Sequence, residues 1–335
     1  METCPLIENL ESKPKASLFN RLLGGVGKFA LSIIKTVLII IVVVGVFRAL
    51  FGQDGMVLER VLREGSSSRR FAVVRLNGII STQTLNSFTR HLERAVNDPS
   101  IKGVILSVTS PGGTVAASDR VHHEIMRFKS RTGKPMVAFM QGIAASGGYY
   151  ASVACDSIIA EPTAITGSIG VVMQSFNVQN LFSEKLGVEA ITIKSGEKKD
   201  WPSMFNEFTD EQAAYLQEKL VGPAYDRFVM LVNQGRPGLT LEQVTSLADG
   251  SIYHAEEAMA GGLIDRIGYL DDAITLLGEF AGVANPETVE YAEDFGFGGS
   301  LMSQFKGVSS LGSKLSRETL NELTSPQILY LWTGQ

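Results

Sequence analysis

The sequence predicts an α/β domain with a mainly parallel sheet. Two features carry that expectation. Short apolar, β-rich runs alternate with amphipathic helical stretches, and three glycine-rich segments each follow directly on a predicted strand. Residues 71–76 (FAVVRL) read as the first strand, and residues 84–96 as a helix with Leu85, Phe88, Leu92 and Val96 on one face. A second strand at 104–108, a helix at 116–128 and a third strand at 135–140 repeat the pattern. A helix follows at 147–153, then a strand at 157–160, with further β-like runs at 170–173 and 188–193. Helices dominate later. TDEQ at 209–212 and TLEQ at 240–243 fit the capping box, in which a hydroxyl and a carboxamide satisfy free amides reciprocally. A short helix starts near His254 and is stopped by Gly261-Gly262. Beyond Tyr291 come a Gly/Ser-rich stretch (296–313), a short helix near 315–323 and an apolar run at 328–332.

Ahead of this domain, residues 29–47 read FALSIIKTVLIIIVVVGVF, with Lys35 as the only charge. At 1.5 Å per helical residue that run spans a hydrocarbon core, and Lys35 lies near one end, where its stem reaches the headgroups. The flank Arg48-Ala49-Leu50-Phe51 offers no small-x-small cleavage site, which favours a retained anchor over a cleaved signal. Lys13, Lys15, Arg21 and Lys28 precede the run, but Arg48, Arg60 and Arg63 follow it, so charge alone does not assign the side of the bulk. The expected organisation is a tail at 1–28, a transmembrane anchor at 29–51, a polar spacer at 52–68, one domain at 69–290 and an extension at 291–335.

Composition removes several function classes. Hydrophobic residues at 44% and charged residues at 19% describe a chain with a buried core. Thirty basic against thirty-five acidic residues leave no basic excess for nucleic acid. Two cysteines and four histidines without an HExxH pair predict no metal and no cofactor. With the anchor between them, Cys4 and Cys155 cannot pair, and Cys155 reads as a small core residue.

The glycine-rich segments are where chemistry fits. In Ser110-Pro111-Gly112-Gly113-Thr114, tandem glycines let backbone amides approach a ligand, as an oxyanion hole requires, although a plain strand-to-helix turn reads the same. In 142–150 (GIAASGGYY), Ser146 sits among small residues where a helix begins. It is either a nucleophile with the Gly147 amide beside it or the helix N-cap. None of His91, His122, His123 or His254 falls in a strand-end loop, so a desolvated lysine is the alternative base. Residues 194–200 (KSGEKKD) supply Lys194, Lys198 and Lys199, in a charged loop that solvent exposure alone also explains.

Together these segments resemble the signal peptide peptidase A family of serine peptidases (S49 type), relatives of the Clp protease/crotonase fold. The likeness rests on SPGGTVAASDR (110–120), GIAASGGYYAS (142–152), TGSIGVV (166–172), IKSGEKKDWPS (193–203) and the stretch 248–274. It implies a superhelix of ββα units. It also implies a dyad of Ser146 as nucleophile and Lys199 as general base, selected by the pattern K-S-G-x-x-K. Ser168 would position the lysine, and the amides of Gly113 and Gly147 would form the oxyanion hole. By the same resemblance, the chain is a membrane-anchored, extracytoplasmic endopeptidase in a dome-like octamer, with serine and lysine supplied by neighbouring subunits. Its substrates would be remnant signal peptides and other extended or unfolded segments, added as a strand beside the TGSIG edge and read by small apolar pockets. A crotonase-type acyl-CoA enzyme shares the paired amides but would not need Ser146. The segment Ser325–Trp332 is expected to occupy a groove on the same or an adjacent subunit.

Overall fold

Strands buried on both faces form the centre of the fold. The computed structural model describes residues 35, 36, 39, 40, 43, 57–293 and 327–332. The chain divides into two units, Met1–Met56 and Val57–Gln335. In the first, Lys35, Thr36, Ile39, Ile40 and Val43 are helical and exposed. The rest of the apolar run 29–47, the tail 1–28 and the expected helix at 315–323 lie outside the described residues. Among the described residues no helix is long and apolar enough to cross a membrane.

The second unit runs through β1 (Val57–Arg63), β2 (Ser66–Asn77), β3 (Ile101–Ser110), β4 (Gly112–Thr114), β5 (Met136–Ala145), β6 (Ser157–Ala160), β7 (Ile165–Gly167) and β8 (Val172–Gln174). After a helical stretch come β9 (Ile252–His254), β10 (Arg266–Ile267), β11 (Pro286–Glu293) and β12 (Gln327–Leu331). The main sheet has the order β1-β11-β2-β3-β5-β6-β10, with β7 pairing β5 and β9. From β11 to β10 its pairings are parallel, as the alternation of strands and helices predicts. Leu76, Val104, Leu106 and Ala138 face the helices Thr82–Asn97 and Val115–Thr132, whose Leu85, Phe88, Val121 and Ile125 close that side. Phe71, Ile105, Val137 and Phe139 face Ile274 and Leu277 of the helix Leu270–Ala281. Each fully buried Val, Leu, Ile or Phe among them contributes about 1.5–3 kcal/mol, so this layer fixes the register. A second sheet, β4-β12-β8, is antiparallel and lies at the end of β3 through the tight β3–β4 step.

Two expectations need correction. Residues 57–68, expected as spacer, are β1 and the start of β2. Charge holds this polar stretch in the sheet: Arg70 bridges Glu59 of β1, Asp98 and Glu287 of β11. Residues 188–193, expected as β-like, form no strand, and Ile191 and Ile193 are 84% and 98% exposed. With no strand among the described residues to pair with, this apolar run has nothing to bury against. The Thr240 capping box is complete, whereas at Thr209 the hydroxyl accepts from the Gln212 amide without the reciprocal bond.

Candidate active site

Ser146 stands between the end of β5 and the helix Gly147–Ser152, at φ 53° and ψ −114°. A non-glycine residue in such a region costs on the order of 1–3 kcal/mol and persists only where its surroundings impose it. Here they do. The Ser146 amide donates to Gly167 O at 2.8 Å, and the Tyr150 amide donates to Ser146 O at 2.8 Å. The Ser146 side chain makes no capping hydrogen bond, so the turn presents the hydroxyl instead of spending it on the helix.

The glycines around it have no room for side chains. A Cβ at Gly113 would run into Ile80 O, and one at Gly147 into the buried, unpartnered Ser118 hydroxyl, with Gly113 N only 3.2 Å away. The amides of Gly113 and Gly147 are thus brought side by side next to Ser146. The Ile80 backbone fixes the first of them, donating to Gly112 O at 2.8 Å and accepting from Thr114 N at 3.0 Å.

β12 lies in the slot between β4 and β8, antiparallel to both. Tyr330 stands opposite Gly113 and Leu331 opposite Gly112, and the Trp332 amide donates to Pro111 O at 2.8 Å. A Cβ built on Gly112 would strike Tyr330 O, and Gly147 N lies 2.8 Å from the same point. The Tyr330 carbonyl, paired across the ladder with Gly113, and the Gly147 amide thus both border Gly112, on the side where an oxyanion hole would receive a carbonyl. The expected occupancy of a groove by the apolar run is met within this chain for residues 327–332.

Ser168 is also at positive φ, 49°, with its amide donating to Ser251 O at 2.7 Å. Ser146 and Ser168 line one cleft of about 590 Å³, together with Asp249, Gln217, Leu331 and Trp332. The Ser251 hydroxyl and amide hold the Asp249 carboxyl below its ordinary range. A second, more apolar cavity of about 520 Å³, lined by Met173, Phe176, Phe208 and Leu216, shares Val171, Val172, Gln217 and Val221 with the first.

Lys199 is not brought to this cleft. It lies on the short 3-10 turn Glu197–Asp200 and is exposed. Its neighbours are committed: Lys194 pairs with Asp200 at 2.7 Å, and Lys198 lies over the rings of Tyr215 and Trp201 at 4.5 and 5.1 Å. Lys199 alone of the three has no side-chain partner among the described residues. Trp201 and Tyr215 together form this aromatic seat for Lys198.

No histidine lines the cleft. His122 packs edge-on against Tyr150, and burial pushes its pKa down to about 4. Cys155 is buried, which pushes its thiol up. Among the described residues no group of His, Cys, Asp or Glu converges as a metal site. Sequence reasoning gave no role to Ser118, Asp249 or Gln217: the first two lie in the quoted segments 110–120 and 248–274 but away from their glycines, and Gln217 belongs to no quoted segment.

Comparison with known proteins follows the same residues. The profile of Peptidase family S49 matches residues 128–284, which hold Ser146, Ser168 and Lys199. The Enterococcus faecium protein named "Putative signal peptide peptidase SppA" is 33% identical over 309 residues, covering 87% of this chain and 88% of that protein. "Protease 4" of Salmonella typhi is 36% identical over 184 residues, 55% of this chain and 29% of the relative. The "Serine protease SPPA, chloroplastic" of Arabidopsis thaliana is 33% identical over 192 residues, 57% of this chain and 28% of the relative.

Proposed function

This chain belongs to peptidase family S49 and is a serine peptidase, and from that premise we propose a membrane-anchored endopeptidase that cuts remnant signal peptides and other extended segments with a Ser146–Lys199 dyad. One observation carries the reading: an extended apolar segment pairs with the strand Gly112–Thr114 beside Ser146, with Tyr330 opposite Gly113 and its carbonyl against Gly112. A substrate peptide in that register would present the same atoms.

In the proposed reaction the Ser146 oxygen attacks the carbonyl carbon and its proton passes to the neutral amine of Lys199. Gly113 and Gly147 stabilise the oxyanion. Collapse breaks the peptide C–N bond, and the lysine returns the proton to the leaving amine. Water then attacks the acyl-enzyme ester, again through Lys199, and releases the acid and free Ser146. Ser168, beside Ser146 in the cleft, would hold the lysine ammonium.

The lysine comes, in this proposal, from a neighbouring copy in a ring, read from the family resemblance as an octamer with the Clp protease/crotonase-like superhelix. Supporting it are the exposure of Lys199, its lack of a side-chain partner among the described residues, and the uncovered apolar residues just before it. The run β3, β4 and helix Val115–Thr132 supports the ββα description. The anchor at 29–47 and an extracytoplasmic site complete the proposal, since a ring on the bilayer meets apolar peptides where they partition.

The test is cleavage of a quenched signal-peptide-like substrate by the assembled protein, with Ser146→Ala and Lys199→Ala as comparisons. Both variants are expected to assemble and to be inactive. Activity retained by Ser146→Ala would refute the mechanism, and activity retained by Lys199→Ala would move the base to another group.

A further inference from the structure

One buried serine of this fold is left without a hydrogen bond, and it lies against the paired glycines. Ser107, Ser110, Ser152 and Ser157 are buried, and their hydroxyls donate to Gln141, the Gly78 carbonyl, the Gly148 carbonyl and Asp265. Ser118 is fully buried, yet its hydroxyl has no partner among the described residues. A helical serine commonly bonds back to the carbonyl four residues earlier, as Ser152 does to Gly148. Ser118, near the start of the helix Val115–Thr132, does not take that bond. An unpaired buried hydroxyl destabilises a fold. Alanine at this position would serve folding as well or better.

What Ser118 touches supplies a reason for it. A Cβ built on Gly147 would meet the Ser118 oxygen before anything else, with Gly112 Cα and Gly113 N next at 3.1 and 3.2 Å. One oxygen atom thus stands where the strand Gly112–Thr114 meets the first residue after Ser146. Gly113 has the Ile80 backbone to hold it. Gly147 opens a helix of only six residues and rests on Ser118.

Building on the peptidase reading above, we propose that Ser118 is a positioning residue for the reaction. Its oxygen is the stop that sets how deep the Gly147 peptide sits, and so where its amide meets the developing oxyanion. Oxygen is smaller than a methyl group and lets the glycine backbone approach closely. Without it the peptide relaxes into the space, and an amide displaced by a fraction of an ångström loses much of its stabilising effect in the transition state. Pairing of a peptide with the strands β4 and β8 does not pass through Ser118, so ground-state binding stays as it is.

The experiment compares native full-length assembled protein with Ser118→Ala, Gly147→Ala and the double variant on one quenched peptide. Ser118→Ala is expected to lower kcat about 10–30-fold with KM within about twofold of native. Its urea midpoint should stay at or above native, because an unpaired buried hydroxyl has been removed. A peptide boronate, which forms a tetrahedral adduct with a serine nucleophile, should lose affinity by the same factor as kcat/KM. The double variant carries the geometric test. With the Ser118 oxygen gone, the nearest atoms to a Cβ on Gly147 lie at 3.1 and 3.2 Å. Gly147→Ala should therefore cost at least about tenfold less in kcat in that background than in the native one.

A native kcat in Ser118→Ala, a fall in kcat accompanied by a lowered urea midpoint, or losses that simply multiply in the double variant overturn the proposal. If Gly147→Ala fails to assemble, the split between kcat and KM and the boronate affinity decide alone. Ser146→Ala is run throughout. Hydrolysis that depends on Ser146 but ignores Ser118 sinks only this role, whereas hydrolysis that survives Ser146→Ala, or none by the native serine, sinks the peptidase reading and this role with it.

Discussion

The central strands and the stretch from Phe176 to Ile193 both carry large apolar residues, but these end up in opposite environments. Ile105 of β3 is fully buried between two helical layers, whereas Phe176, Ile191 and Ile193 are 59%, 84% and 98% exposed. The first region builds everything around Ser146 from one chain: the positive-φ turn, the paired amides and the strand slot. The second carries Lys199 on a surface that no described residue of this chain covers. Large apolar side chains this exposed are candidates for cover by a partner. The contrast teaches that completeness differs across the site, and it supports a lysine that works on a neighbour's serine.

Breaking the complete half should have the largest effect. Ser146→Ala is expected to lower kcat by at least about 10⁴-fold in peptide hydrolysis with unchanged assembly. Gly147→Ala attacks the same half through the backbone, since its Cβ meets the Ser118 hydroxyl and displaces the amide. We expect a loss of about 10²–10³-fold in kcat with a smaller change in KM. Rates equal to native would show that this amide is not a donor.

The incomplete half should respond differently. Ile193→Asp ought to leave the folded subunit within about 0.5 kcal/mol of native in urea unfolding, because the side chain is already in solvent. The same substitution is expected to weaken assembly in sedimentation and to lower activity in proportion. Strong destabilisation of the isolated subunit would mean that Ile193 is packed after all.

The smallest effect concerns pH. Burial lowers the pKa of His122 from 6.5 to about 4, so between those values the unfolded chain binds the proton and the folded one does not. Stability is therefore full above pH 6.5 and falls as the pH drops toward 4. The loss is on the order of 3 kcal/mol at most, before solvent screening. Urea midpoints at pH 7, 5.5 and 4 should show this slope, and His122→Gln should flatten it. A slope identical in the variant would assign the effect to other groups.

The two regions also explain what could be read from the chain. FAVVRL and the runs at 104–108 and 135–140 are apolar because both faces of a parallel strand are covered, and composition alone was enough to place them. The run at 188–193 has the same local composition, but periodicity does not reveal whether the covering surface belongs to the same molecule. β1 was illegible for the opposite reason, since its pairing depends on Glu59 meeting Arg70, a contact between separate strands. Ser146 stood out through its glycines, while its φ of 53° and the meeting of Gly113 with Gly147 required the β3–β4 and β5–helix turns to converge. Lys199 was selected by motif likeness. In the structure Lys194 pairs with Asp200 and Lys198 lies over Tyr215 and Trp201, contacts between side chains that the motif alone does not announce.

The most direct test of the proposed shared site is to mix the Ser146→Ala and Lys199→Ala proteins, each expected to be inactive, let subunits exchange, and assay the co-assembled protein. If each serine draws on the lysine of one neighbour, random equimolar mixing restores about a quarter of native activity, the fraction of interfaces that join an intact serine to an intact lysine in the required order. If verified mixed rings remain inactive, serine and lysine act within one subunit, and a site shared between neighbours is contradicted.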